Sequence, residues 1–156
     1  MSDADASGSS LAKQIAQQAK SAFEASQILE SNDRLFALRA LRTALELAKQ
    51  DILQANDKDV EKAKFAVADG DMSASLLNRL DLNATPGKFQ DMLDGIDQVA
   101  ALPDPNEEIQ LGVKLDDGLN LYKVACPIGV ILVIFEARPE VIVNITALAI
   151  KSGKVL

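Results

Sequence analysis

From Leu11 onward, apolar residues recur three or four apart: Leu11, Ile15, Ala19, Ala22 and Leu29 form one stripe, interrupted once by Ser26. Such spacing gathers side chains on one face of a helix and predicts a first amphipathic helix from Leu11 to about Leu29. The preceding residues 1–10 are rich in Ser, Asp, Ala and Gly and read as a disordered tail. Ser31 or Asn32 is placed to cap a second helix, whose stripe runs through Leu38, Leu41, Leu45, Ala48 and Ile52. Asp57 or Asp59 is expected to start a third helix, through Val60, Ala63 and Val67 to Gly70. Ser73 opens a short fourth around Leu76, Leu77 and Leu80. Thr85-Pro86 supplies an N-cap and first turn for a fifth along Phe89, Leu93, Ile96 and Val99, which Pro103 and Pro105 stop.

After Pro105 the period changes to two. Ile109, Leu111 and Val113 alternate with polar residues, Asp116-Asp117-Gly118 supplies turn chemistry, and a second alternating run follows from Leu119, so a β-hairpin is predicted. Val130 to Phe135 is an unbroken apolar run and reads as a strand covered on both faces, as in a parallel sheet. Pro139 then opens a helix through Val141, Ile145, Leu148 and Ala149 to about Lys151, ended by Ser152-Gly153. Lys154 to Leu156 read as the start of another strand, so the chain is expected to stop inside a βαβ unit. The predicted class is α/β.

Composition narrows the function. An apolar share of 48% suffices for a core. With 23 acidic and 16 unclustered basic residues, the net charge of −7 argues against nucleic acid and anionic membrane as partners. One cysteine and no histidine exclude an internal disulfide, a structural zinc site of the usual ligands and a histidine base; no metal is expected. The first ten residues lack a signal peptide's apolar core, and no apolar stretch approaches the roughly 18 residues of a membrane span. The expected location is cytoplasmic.

The chemistry concentrates where the apolar run ends. At the C-terminal end of a parallel strand, side chains and the amides of the next helix converge on a crevice where ligands bind. Glu136 and Arg138 fall at that edge, so Arg138, beside a helix N-terminus, is a candidate for holding a phosphate or carboxylate. The same two residues also fit a plain ion pair with each other or with helix caps. Cys126, before Pro127 in an apolar setting, reads as a small buried residue rather than a nucleophile.

The stretch PIGVILVIFEARPEVIVNITALAIKSG, Pro127 to Gly153, resembles the signature region of the glutamate-5-semialdehyde dehydrogenase family, also called γ-glutamyl phosphate reductases, in the aldehyde dehydrogenase superfamily. DILQANDKDVEKAK, SLLNRLDL and LDDGLNLYKVACP are similar to the same family in the same order. The likeness runs from about Ala12 to Gly153, and the ILVIFE and IKSG wording looks most like fungal members. The resemblance implies an aldehyde-dehydrogenase-like, Rossmann-type cofactor domain. Residues 11–156 would be the N-terminal part of its NADP-binding domain, with the catalytic domain absent. It also implies NADPH-dependent reduction of L-glutamyl 5-phosphate to glutamate 5-semialdehyde, with release of phosphate, in L-proline biosynthesis. Arg138 would meet the substrate phosphate or oxyanion, and Ile134, Phe135 and Glu136 would border the nicotinamide side of the cofactor crevice. Cys126 does not match the family's catalytic cysteine, whose place is expected beyond Leu156, so no catalytic residue is assigned and the chain alone is expected to be inactive. Two other readings stand beside this one: a non-catalytic fragment that associates with a full-length subunit or forms a homo-oligomer, and a helical interaction module.

Overall fold

A computed structural model of the chain describes residues 3–106 and 108–153. In chain order the elements are α1 (Asp3–Ser26), α2 (Ser31–Leu47), α3 (Lys49–Ala68), α4 (Ala74–Leu80), α5 (Lys88–Ala101), β1 (Ile109–Asp116), β2 (Leu119–Val124) and α6 (Pro139–Lys151). They divide between two compact units: the described residues of Met1–Arg34, Pro103–Val133 and Ala149–Leu156, and those of Leu35–Leu102 and Ile134–Leu148. Among the described residues, no helix is long and apolar enough to cross a membrane.

The second unit holds the apolar core. Leu38, Leu93 and Ile96 are completely enclosed, joined by Val60, Ala63, Leu82, Phe89, Met92, Val143 and Ala147. Leu38, Val60, Ala63, Phe89, Leu93 and Ile96 lie on the stripes expected for α2, α3 and α5; in α6 the residues joining this core are instead Val143 and Ala147, off the expected stripe, whose Leu148 is exposed. At the joint of α2 and α3 the boundaries differ from the sequence reading. The second helix ends at Leu47 rather than passing through Ile52, and α3 runs unbroken through the expected caps Asp57 and Asp59. The joint is one residue deep: Ala48 N–H still donates to the Ala44 carbonyl, and Ile52 N–H to the Ala48 carbonyl, both at 3.0 Å. No breaker stands between Leu53 and Asp59, and the neighbouring Asn56 turns its amide to a distant loop instead of to its own helix.

Further along, Ser73 caps α4 as expected, its hydroxyl accepting the Leu76 N–H. The fifth helix begins later than Thr85-Pro86 predicts, because Gly87 adopts φ +91° and forms the N-cap. Inside α5, a Cβ on Gly95 would lie 3.1 Å from Asn144 Oδ1, so the bare glycine lets α5 and α6 approach closely.

In the first unit, α1 starts at Asp3, where the sequence reading placed a disordered tail over residues 1–10. High helix propensity at Ala4 and Ala6 extends a helix that the downstream stripe has already nucleated. The helix stops at Ser26, whose hydroxyl bonds back to the Phe23 carbonyl at 2.8 Å. The predicted hairpin is present: β1 and β2 pair antiparallel, with Val113 opposite Leu121 and Gly112 opposite Tyr122. Every residue of both strands is exposed.

The run Val130 to Phe135 is the main departure. Only Val130 sits in an isolated bridge, and the run makes no ladder among the described residues. Exposure alternates as in a strand, with Val130, Leu132 and Ile134 open and Ile131 and Val133 half-buried, so the expected cover on both faces is not formed. A parallel strand is completed by neighbours, and the ladder among the described residues is taken up by β1 and β2 with each other. Cys126, expected to be buried, is exposed just past the end of β2.

Candidate functional site

The second unit carries a tight turn between the apolar run and α6. Phe135 and Glu136 enter it, Ala137 takes φ +51°, and Arg138 leads into Pro139, the first residue of α6. Each step has a local cause. Proline tolerates the first helical position because its missing N–H has no intrahelical partner there, and it steers the residue before it away from helical backbone. Arg138 therefore stays outside the helix, while its carbonyl accepts the Val141 N–H at 3.1 Å. Ala137 is the one non-glycine residue with positive φ among the described residues. A Cβ in that left-handed region costs about 1–2 kcal/mol, so the surrounding turn imposes the conformation.

The four residues singled out from sequence come together in this turn, and all are exposed: Ile134 at 88%, Phe135 at 41%, and Glu136 and Arg138 beside them. Among the described residues, neither Glu136 nor Arg138 makes a side-chain hydrogen bond or ion pair, so the plain pairing of the two is not formed. A guanidinium presents five N–H donors in a planar fork, and the first-turn amides of the 13-residue α6 add the positive end of a helix dipole. Chemically, such a turn can hold a phosphate or carboxylate. Two of its features escaped the sequence reading. One is the strain at Ala137, which no residue type announces. The other is Glu140, whose Oε2 is buried without a hydrogen-bond partner in the first turn of α6; an acid just after Pro139 was the available signal.

The first unit contains a separate open cleft of about 550 Å³, lined among others by Gln27, Arg34, Asp104, Asn106, Cys126 and Gly153. Its half-buried charges, Arg34 and Asp104, are paired with each other. Arg34 donates to the Leu29 carbonyl and to Asp104 Oδ2, each at 2.5 Å, and Gln27 Nε2 donates to the Gly153 carbonyl at 3.2 Å. Burial pushes the Asp104 carboxyl up, but hydrogen bonds from Ser31, the Asn106 N–H and Arg34 outweigh it and hold the group at about 2. Cys126 makes only a weak 3.9 Å contact, to the Val124 carbonyl. None of Ile134, Phe135, Glu136 and Arg138 lines this cleft. Among the described residues, no cluster of three His, Cys, Asp or Glu could hold a metal ion.

No family model matches the chain. Individual proteins do. It is 48% identical over 136 residues to the "Probable gamma-glutamyl phosphate reductase" of Schizosaccharomyces pombe, covering 87% of this chain and 30% of that protein. It is 44% identical over 144 residues to the γ-glutamyl phosphate reductase of Saccharomyces cerevisiae, covering 92% of this chain and 30% of that one. The crystal structure of the S. cerevisiae γ-glutamyl phosphate reductase matches at a TM-score of 0.84 and 45% identity, over 90% of this chain and 34% of that chain. The Thermotoga maritima γ-glutamyl phosphate reductase matches at 0.79 and 32%, over 89% of this chain and 32% of that chain. The chain thus spans about 30% of the length of the curated relatives it matches.

Proposed function

We propose that the chain is a partial-length member of the γ-glutamyl phosphate reductase family and serves the reduction of L-glutamyl 5-phosphate to glutamate 5-semialdehyde. The observation that carries this reading is 48% identity over 136 residues to one such reductase, in a chain that folds like another. On this reading the protein is an oxidoreductase of L-proline biosynthesis, working in the cytoplasm with NADPH in an aldehyde-dehydrogenase-like fold.

Within that reaction, Arg138 is assigned the substrate's phosphate or the oxyanion that develops at the reacting carbonyl. An exposed, unpaired guanidinium suits this role because a fork of donors matches two oxygens at once and keeps its charge at any working pH. Ile134 and Phe135 offer an open apolar edge to a nicotinamide ring, and the Glu136 carboxylate beside them can accept from its polar substituents. When bound, the cofactor supplies the hydride. Cys126 has no part in this assignment, since its thiol lies on the cleft of the first unit, which none of Ile134, Phe135, Glu136 and Arg138 lines.

The test grafts residues 12–153 over the matching stretch of the S. cerevisiae reductase and follows NADPH oxidation with γ-glutamyl phosphate. The graft is expected to be active. Arg138→Ala should raise KM for the acyl phosphate by roughly 10- to 100-fold, since a hydrogen bond to a charged group contributes about 1.5–3 kcal/mol. An inactive graft would overturn the family reading; an active graft indifferent to Arg138→Ala would remove Arg138 from the site.

The exposed hairpin favours a second reading, association with a full-length subunit. Ile109, Leu111, Leu119 and Leu121 all stand open on it, and both strands are exposed throughout. Co-purification of the chain with the full-length S. cerevisiae reductase tests that reading, and a chain that elutes alone at micromolar concentration would reject it.

A further inference from the structure

Ala137 separates two charged residues that a simpler turn would let meet. Glu136 and Arg138 lie two apart, a spacing that in a continuous strand puts both side chains on one face. In this turn they form no ion pair among the described residues, and the residue between them carries the left-handed backbone. The strain secures no backbone hydrogen bond of the turn, whose bond runs from Val141 N–H to the Arg138 carbonyl. It also encloses nothing completely, because Ala137 is only half-buried between two exposed neighbours. Its geometric effect is to rotate the chain direction between Glu136 and Arg138, just before Pro139 locks the helix start.

We infer that Ala137 is a positioning residue: its left-handed backbone holds Arg138 out of reach of Glu136 and keeps the guanidinium free for an anionic substrate group. This rests on the acyl-phosphate reading above. A glycine would take the same φ without strain, and asparagine tolerates it better than most residues, whereas a β-branched side chain resists it. Activity should therefore follow compatibility with positive φ rather than side-chain size.

In the grafted reductase, Ala137→Gly and Ala137→Asn are expected to keep KM for γ-glutamyl phosphate within about threefold of the parent, while Ala137→Val raises it by roughly tenfold, the factor set by the extra cost of positive φ. KM for NADPH and the melting temperature are the controls, and both should move little in all three variants. If Val, Gly and Asn behave alike at full activity, the backbone of residue 137 does not position Arg138 and the inference fails. If KM for both substrates rises together in Ala137→Val, the turn is only a structural support and the inference also fails. An inactive parent graft would instead defeat the acyl-phosphate reading itself.

Discussion

The side-chain carbonyl of Asn56 accepts the backbone N–H of Leu82 at 2.8 Å, in the core of the second unit where both residues are buried. The same side chain donates from Nδ2 to the Leu80 carbonyl at 2.9 Å, so one amide satisfies the last carbonyl of α4 and an N–H of the loop that follows it. Lys88 secures the same loop from another side, its Nζ donating to the Arg79 and Asp81 carbonyls at 2.8 Å each. A buried backbone group left without a partner costs about 1–3 kcal/mol, so Asn56→Ala should destabilise the unit by about 2–4 kcal/mol. Urea unfolding followed by circular dichroism measures this. A midpoint within 0.2 M of the parent's, about a tenth of a typical total change, would mean that water replaces the amide at no cost.

Gly118 closes the hairpin at φ +79°, next to Asp117, whose carboxylate pairs with Lys114. The register shifts between Lys114 and Asp116, so the turn is built on a bulge that needs the glycine's freedom. Above it, the Tyr122 ring covers the bare backbone of Gly112, since a Cβ there would lie 3.3 Å from two ring carbons. With every strand residue exposed, little packing compensates for a strained turn. Gly118→Val should weaken the hairpin by about 1–2 kcal/mol. Amide exchange at Val113 and Leu121, which face each other across the ladder, should speed up roughly tenfold while α5 stays protected; unchanged exchange would show that the turn does not limit hairpin opening.

What the sequence made legible follows from which interactions are local. The stripes Leu38 to Leu45 and Phe89 to Ile96 mark buried faces because three-four spacing is enough to place them, and Ser73 and Gly118 act within three residues of themselves. The turn was legible as residue types, since Glu136 and Arg138 follow an apolar run directly. Its geometry was not: Ala137 is an ordinary helix-forming residue whose positive φ comes from the chain on both sides. The length of α3 was hidden for a similar reason, because Asp57 and Asp59 read as local caps while the helix runs unbroken through both, and the neighbouring Asn56 serves Leu80 and Leu82. The run Val130 to Phe135 carries the composition of a covered strand, but cover is a property of neighbours and not of the run.

Arg34 and Asp104 yield the pH prediction. The Asp104 carboxyl sits at about 2, below its ordinary 3.8: burial alone would raise it, and the donors Ser31, Asn106 N–H and Arg34 more than offset that. A carboxyl whose folded value is depressed holds fewer protons folded than unfolded across the interval between the two values. Its contribution is therefore complete above about pH 4 and lost as pH falls towards 2, amounting to about 2 kcal/mol. Asp104→Asn removes the titrating group and leaves Arg34, whose side chain is 11% exposed and whose Nε is already buried without a partner, with no counter-charge there. The variant should be less stable than the parent at pH 7, and the gap should narrow between pH 4 and pH 2 as the parent loses its ionised partner. Thermal unfolding of both chains across that range provides the comparison. A gap that stays constant with pH would show that the Asp104 charge does not contribute to holding the first unit together.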